Sequence, residues 1–217
     1  MTLFSIIKKN SIVVFFLLIL IILNILYLSN MSFFLEDNLI ENIQLFLLFG
    51  CIFTSFRNYF NYSLIQFQAF SFISGLGFIF ILFEEISWGQ RLFNIPLPNF
   101  FLKYNNSMEL NLHNINDGTL EQIMYFIFIF WALISLIKLK YYFNRLLRHK
   151  IPFFSRNMGM LFIFILILTQ WSYSNSDKIY PELYETLIYL FFFIFNYNLK
   201  KYNFLKHNYY NSKDLEF

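Results

Sequence analysis

The chain reads as an all-α protein, a polytopic bundle of about six transmembrane helices with a polar outer insert between the third and fourth. Composition and apolar run length predict this. Of 217 residues, 58% are hydrophobic and only 13% are charged. The apolar residues gather into uninterrupted runs approaching the roughly 20 residues that cross a core of about 30 Å at about 1.5 Å each. These runs lack period-two alternation, and backbone polar groups in hydrocarbon must bond within their own segment, so helices are expected rather than a barrel. The 33 Phe and 15 Tyr accompany abundant Ile, Asn and Lys and sparse Ala, Gly and Pro. An AT-rich coding sequence produces that pattern, so aromatic richness receives no functional weight.

The first span is expected over Ser11 to Leu28. Lys8 and Lys9 ahead of it imitate a signal peptide, but Tyr27-Leu28-Ser29-Asn30-Met31 offers no small-residue cleavage site, so the span is read as retained. The second, Leu39 to Phe56, contains the only cysteine, Cys51, which excludes an internal disulfide and reads as an apolar packing residue. The third, Leu64 to Phe83, carries Ser71, Ser74, Gly75 and Gly77, small residues that permit close helix packing. The fourth, fifth and sixth follow over Leu120 to Ile137, Asn157 to Tyr173 and Leu183 to Tyr197. Residues 1–202 thus form one helical domain, including the insert at 84–118, and Asn203 to Phe217 form a polar cytoplasmic tail.

Orientation follows from the bases, which short loops retain on the cytoplasmic side. With six spans, thirteen of the sixteen Lys and Arg fall on one side, shared by both termini, which are therefore expected in the cytoplasm. Eleven of the thirteen acids fall on the other side or at the outer ends of spans. Topology and anionic lipid headgroups account for the basic face, so no nucleic-acid partner is expected.

Acids contribute little to topology, so those at span ends ask for another reason. Glu41 opens the second span, Glu121 the fourth, and Glu182 and Glu185 the sixth. There a helix N-terminus favours anions, which is a sufficient structural explanation. It fails for Glu84 and Glu85, which end the third span, where the dipole disfavours them unless Arg91, another cation or a metal compensates. Ionisable groups at this depth usually face the bundle or a water-filled cavity, and a common depth would set them around one outward cavity. Glu84 and Glu85 point about 100° apart on a helix, so only one is expected to face its centre.

The insert adds Trp88, Gly89, Gln90 and Arg91 directly after the paired acids, then Glu109, Asn111, His113 and Asn114. Trp88 fits an interfacial anchor and Gly89 a chain reversal. Arg91 can grip a carboxylate or a phosphate through two parallel hydrogen bonds. Ser87 lacks the G-x-S-x-G surroundings of a nucleophile. If the segment is helical, Glu109 and His113 share a face and can chelate a divalent metal or act as an acid/base pair. With Glu85 the set Glu85, Glu109 and His113 would suit Mg²⁺, Ca²⁺ or Mn²⁺ better than zinc; a network salt-bridged through Arg91 is the structural alternative. Leu92 to Leu102 is too short to span and is expected at the bilayer surface.

The run E-E-I-S-W-G-Q-R-L-F at 84–93, followed by Asn105, Glu109, Asn111, Leu112, His113 and Asn114, resembles the signature of a family of bacterial multi-pass inner-membrane proteins. Glu36, Asp37 and Glu41 match its early acidic element, and Glu182 and Glu185 its late one. Pro98-Asn99 departs from the expected loop. The resemblance implies a shared architecture and outer polar site in the cytoplasmic membrane, and carries no activity.

Three classes of function stay open. A hydrolase or transferase would act on a lipid or lipid-linked substrate, with Glu84, Glu85, Glu109 and His113 as acid/base or metal-ligand groups. Arg91, Gln90, Trp88, Asn111 and Asn114 would bind the substrate, and Glu41, Glu182 and Glu185 would support. A non-catalytic assembly protein would present the same acids to a protein partner. An ion-coupled transporter is disfavoured by the lack of an evident inverted repeat.

Overall fold

The computed structural model describes residues 39–62, 65–105, 108–112, 115, 119–136, 154, 156–174 and 183–199, together with Phe15, Leu18, Ile19 and Ile22. The described residues are helical apart from short turns, bends and one isolated antiparallel bridge, Asn105 to Ile115. In chain order the helices are α1 (Leu39–Asn61), α2 (Ile65–Glu85), α3 (Gln90–Phe93), α4 (Asn99–Tyr104), α5 (Thr119–Leu136), α6 (Arg156–Ser174) and α7 (residues 183–199). Of the expected first span only the four isolated residues are described, each helical.

Two helices, α1 with 23 residues and α2 with 21, are long and apolar enough to cross a membrane. α5 and α6 carry shorter apolar stretches within the described residues, Gln122–Ile134 and Asn157–Thr169. α1 and α2 pack against one another as a hairpin. Their buried faces follow the helical repeat: Ile40, Gln44, Leu48, Cys51, Thr54, Ser55 and Asn58 on α1, and Phe67, Ser71, Gly75, Phe78 and Leu82 on α2. These faces mix small and polar residues with apolar ones. The opposite faces expose Phe46, Phe49, Phe53 and Phe60 on α1, and Ile65, Ile73 and Leu76 on α2. α5 exposes Phe126 and Phe130 in the same way.

α7 occupies the middle. Leu183, Leu187, Ile188, Phe191, Phe192, Phe195 and Leu199 are all buried, as expected of a helix apolar all round. Its contacts fix its direction. The Cys51 thiol meets the Tyr189 carbonyl at 3.5 Å, and Asn58 Nδ2 donates to the Asn196 carbonyl at 2.7 Å. Both pairs have the same sequence offset, so α7 runs parallel to α1 with contacts two helical turns apart. It is antiparallel to α2, because Tyr189 reaches Glu85 while Phe192 meets Phe78 at 5.6 Å. Phe192 also meets Phe128 of α5, and Phe191 stacks on Phe162 of α6 at 4.4 Å and 15°. Arg57 closes the far end, its guanidinium 5.1 Å from the Tyr197 ring centre.

The small-residue run of α2 has the expected role in part. A Cβ at Gly75 would come within 3.1 Å of the Phe56 ring, whereas one at Gly77 would meet nothing within 4 Å. Gly75→Val is therefore expected to destabilise by about 1–3 kcal/mol through overpacking. Gly77→Ala should be neutral or stabilise by up to about 1 kcal/mol through helix propensity. Thermal unfolding of the two purified variants beside wild type checks the contrast.

Candidate functional site

α2 ends in two adjacent carboxylates that enter separate networks. Glu84, only 4% exposed, turns toward the insert. Its Oε1 accepts the Trp88 indole N–H and its Oε2 the Leu112 backbone N–H, each at 2.6 Å. These short charge-assisted bonds help offset the unfavourable placement of an anion at a helix C-terminus. Glu85, half-buried, faces α7 and accepts the Tyr189 hydroxyl at 2.6 Å. The divergence follows from the rotation of about 100° per helical residue.

After Ile86 the backbone changes hand. Ser87, Trp88 and Gly89 have φ of 48°, 53° and 77°, and the right-handed course resumes at Gln90. Two consecutive non-glycine residues here cost about 1–2 kcal/mol each. Strain of this kind persists where both flanks are fixed. Glu84 anchors one flank through Leu112, and Gln90 Oε1 anchors the other by accepting the Leu110 N–H at 2.6 Å. The Gly89 N–H donates to the Ile86 carbonyl at 2.9 Å inside the turn. Ser87 is fully buried, and its hydroxyl has no hydrogen-bond partner among the described residues.

The second half of the insert is organised by a side-chain amide. Asn105 Nδ2 faces the Glu109 carbonyl at 2.8 Å, the Asn111 carbonyl at 2.9 Å and Asn111 Oδ1 at 2.8 Å. Asn111 Nδ2 in turn donates to Glu109 Oε2 at 2.7 Å. Drawing these carbonyls onto one amide bends the chain, and Met108 takes φ 58°. Residues 108–112 are consequently not helical, so the helical premise for a shared Glu109 and His113 face does not hold. Glu109 pairs with Asn111 instead.

A further cluster lies where α2, α5 and α7 meet. Tyr125 points its hydroxyl at Glu185 Oε1 over a long 3.5 Å. Glu85, Glu185 and Tyr125 all act electrostatically on the Tyr189 hydroxyl. The expectation of acids at one depth thus has a structural counterpart in Glu85 and Glu185, joined by two phenols. Glu41 sits in the first turn of α1, half-buried. His113, Asn114 and Glu182 lie outside the described residues, as do the side chains of Arg91 and Glu121.

The tyrosines were not singled out from sequence, although a signal exists. Glu121 and Tyr125, and likewise Glu185 and Tyr189, are four residues apart in apolar helices, a spacing that puts each pair on one face. For a metal, Glu85 and Glu109 belong to different networks, and no group of three His, Cys, Asp or Glu side chains converges among the described residues.

Comparison with known proteins yields no matching family model, no matching curated protein and no matching solved structure.

Two substitutions test the geometry of the insert. Glu84→Ala leaves the Leu112 N–H and the Trp88 indole without their acceptor, so the Leu112 amide should lose about 1–3 kcal/mol of hydrogen-exchange protection. Unchanged protection would mean that Glu84 does not hold the loop. Asn105→Asp keeps the side-chain shape but turns an oxygen toward three acceptor oxygens. It is expected to destabilise by more than Asn105→Ala, by about 2 kcal/mol or more, as read by chemical denaturation.

Proposed function

We propose that the chain is a six-span integral protein of the bacterial inner membrane with both termini in the cytoplasm. On this reading its outer end acts as a hydrolase or transferase on a lipid or lipid-linked substrate. The membrane assignment is supported by the inverted distribution of side chains. Phe46, Phe49, Phe53, Phe126 and Phe130 are exposed, while Gln44, Ser55, Asn58, Thr169 and Asn196 are buried. A helix bundle in water buries the first kind, whereas one in lipid gains nothing by doing so.

The observation that carries the enzymatic reading is the cluster of Glu85, Tyr189, Glu185 and Tyr125. Two carboxylates and two phenols, hydrogen-bonded in pairs, are an expensive arrangement within apolar helices. A carboxylate accepting a phenol hydrogen bond at 2.6 Å is placed for general acid/base work, with Glu85 taking the proton and Tyr189 aligning it. Arg91, one turn beyond, is the candidate to hold a phosphate group. Glu84, Gln90, Asn105 and Asn111 support a second reading. Their side chains hold the insert in shape, which suits a non-catalytic protein presenting a fixed surface to a partner.

Complementation of a deletion strain separates the two. Wild type is expected to restore the lipid headgroup profile, while Glu85→Gln and Tyr189→Phe, expressed at equal levels, do not. A wild-type profile in both variants would remove the enzymatic reading. Elemental analysis of the purified protein asks separately whether Glu85, Glu109 and His113 hold a divalent metal. Stoichiometric metal lost in Glu85→Gln and in His113→Ala would add metal-assisted chemistry, and folded metal-free protein leaves acid/base chemistry alone.

A further inference from the structure

The insert is two-sided. Its inner side carries the buried polar residues Glu84, Asn105 and Asn111, already joined to one another or to backbone. Its outer side carries large apolar residues facing nothing in the protein. Phe93 is 75% exposed, and Ile95, Phe100, Leu102 and Trp88 are also exposed. α4, with the sequence NFFLKY, buries none of its residues. The ring contacts of Phe100 are confined to its own helix, with Phe101 at 5.6 Å and Tyr104 at 5.1 Å. A six-residue apolar helix that buries nothing cannot offset the entropy of being ordered in water.

The outer side is also continuous with the exposed face of α2. Trp88 stacks on Phe83 at 5.3 Å and 16°, and meets Phe80 edge-on at 5.9 Å. Phe80 and Phe83 are themselves exposed. One turn on, the Phe93 ring lies 3.0 Å from where a Cβ on Gly89 would stand. An apolar surface therefore runs without a break from the end of α2 across the left-handed turn to α3. α4 ends in Lys103, whose ammonium lies 5.0 Å from the Tyr104 ring centre, and both residues are exposed. Aromatic rings with a basic side chain beside them are the composition that settles at headgroup level.

We infer that this outer side of the insert is a lipid-contact surface. It seats shallowly in the interface of the outer leaflet and holds the Glu84 and Asn105 networks at headgroup depth. The inference rests on the membrane reading of α2 and deepens it: the substrate of the adjoining site is then a group carried at the bilayer surface rather than a solute from the aqueous phase. The occupant is lipid because the surface extends that of a helix long and apolar enough to span.

Removal of Cys51 by Cys51→Ser gives a cysteine-free chain into which single nitroxide labels can be placed at Ile73, Phe100 and Leu102. All three side chains are exposed, so labelling disturbs no packing. Full-length protein in phosphatidylethanolamine and phosphatidylglycerol vesicles is examined by power saturation with oxygen and with a water-soluble nickel chelate. The Ile73 label is expected deep in the hydrocarbon. The labels at Phe100 and Leu102 are expected at shallow depth, relaxed more by oxygen than by nickel. Nickel-dominated relaxation at 100 and 102 with a deep Ile73 overturns the inference and leaves the span standing. Labels at 100 and 102 immobilised and shielded from both reagents place a protein there instead, and overturn it too. A nickel-dominated Ile73 removes the membrane reading and the inference together.

Discussion

Burial of α7 is the constraint on which the rest depends. An apolar helix surrounded by others can be held only if each neighbour offers a face that admits it closely. α1 does so through Cys51 and Asn58, two turns apart, opposite Tyr189 and Asn196. α2, α5 and α6 contribute Phe78, Phe128 and Phe162 to the rings around Phe191 and Phe192. The side-chain amide of Asn58 bonded to a backbone carbonyl, and Arg57 lying over Tyr197, fix the axial position of α7 at one end. The Tyr189 to Glu85 bond fixes it nearer the other. Because that position is set, α7 carries Glu185 and Tyr189 to the place where α2 ends and α5 begins.

The end of α2 turns this packing into a site. One helical step separates Glu84 from Glu85, and the step divides a structural role from a chemical one. Glu84 ties down the insert; Glu85 stays with the bundle. The left-handed turn at Ser87 to Gly89 is what lets the chain leave α2 and come back over its end. Its strain is borne by hydrogen bonds from both flanks to one short stretch, Leu110 to Leu112. Ser87, buried with an unpartnered hydroxyl in the middle of the turn, marks where the fold gives up stability.

Much of this was legible in the sequence, and the remainder was not for physical reasons. Hydropathy located the helices: the expected span at Leu64 to Phe83 is the helix Ile65–Glu85, and that at Leu120 to Ile137 is Thr119–Leu136. The end of α1 ran five residues past Phe56, because Arg57, Asn58 and Asn61 find helix-compatible partners there. The insert was legible as a polar unit. Its conformation was not, since the bending by Asn105 depends on side-chain bonds to carbonyls that no periodicity reveals. Tyr125 and Tyr189 were passed over because compositional bias made every aromatic residue look alike. Their position four residues after a glutamate distinguishes them.

Every part of this account places the carboxylates of α2 and α7 at the outward end of a lipid-embedded bundle. Site-directed labelling of a single cysteine tests that placement most directly. On a Cys51→Ser background, Asn99→Cys in the exposed helix of the insert is treated in spheroplasts with a membrane-impermeant maleimide, beside Asn203→Cys in the tail. The account predicts that position 99 is labelled in intact spheroplasts, and that position 203 is labelled only after the membrane is opened. Labelling of 203 but not of 99 in intact spheroplasts would contradict it.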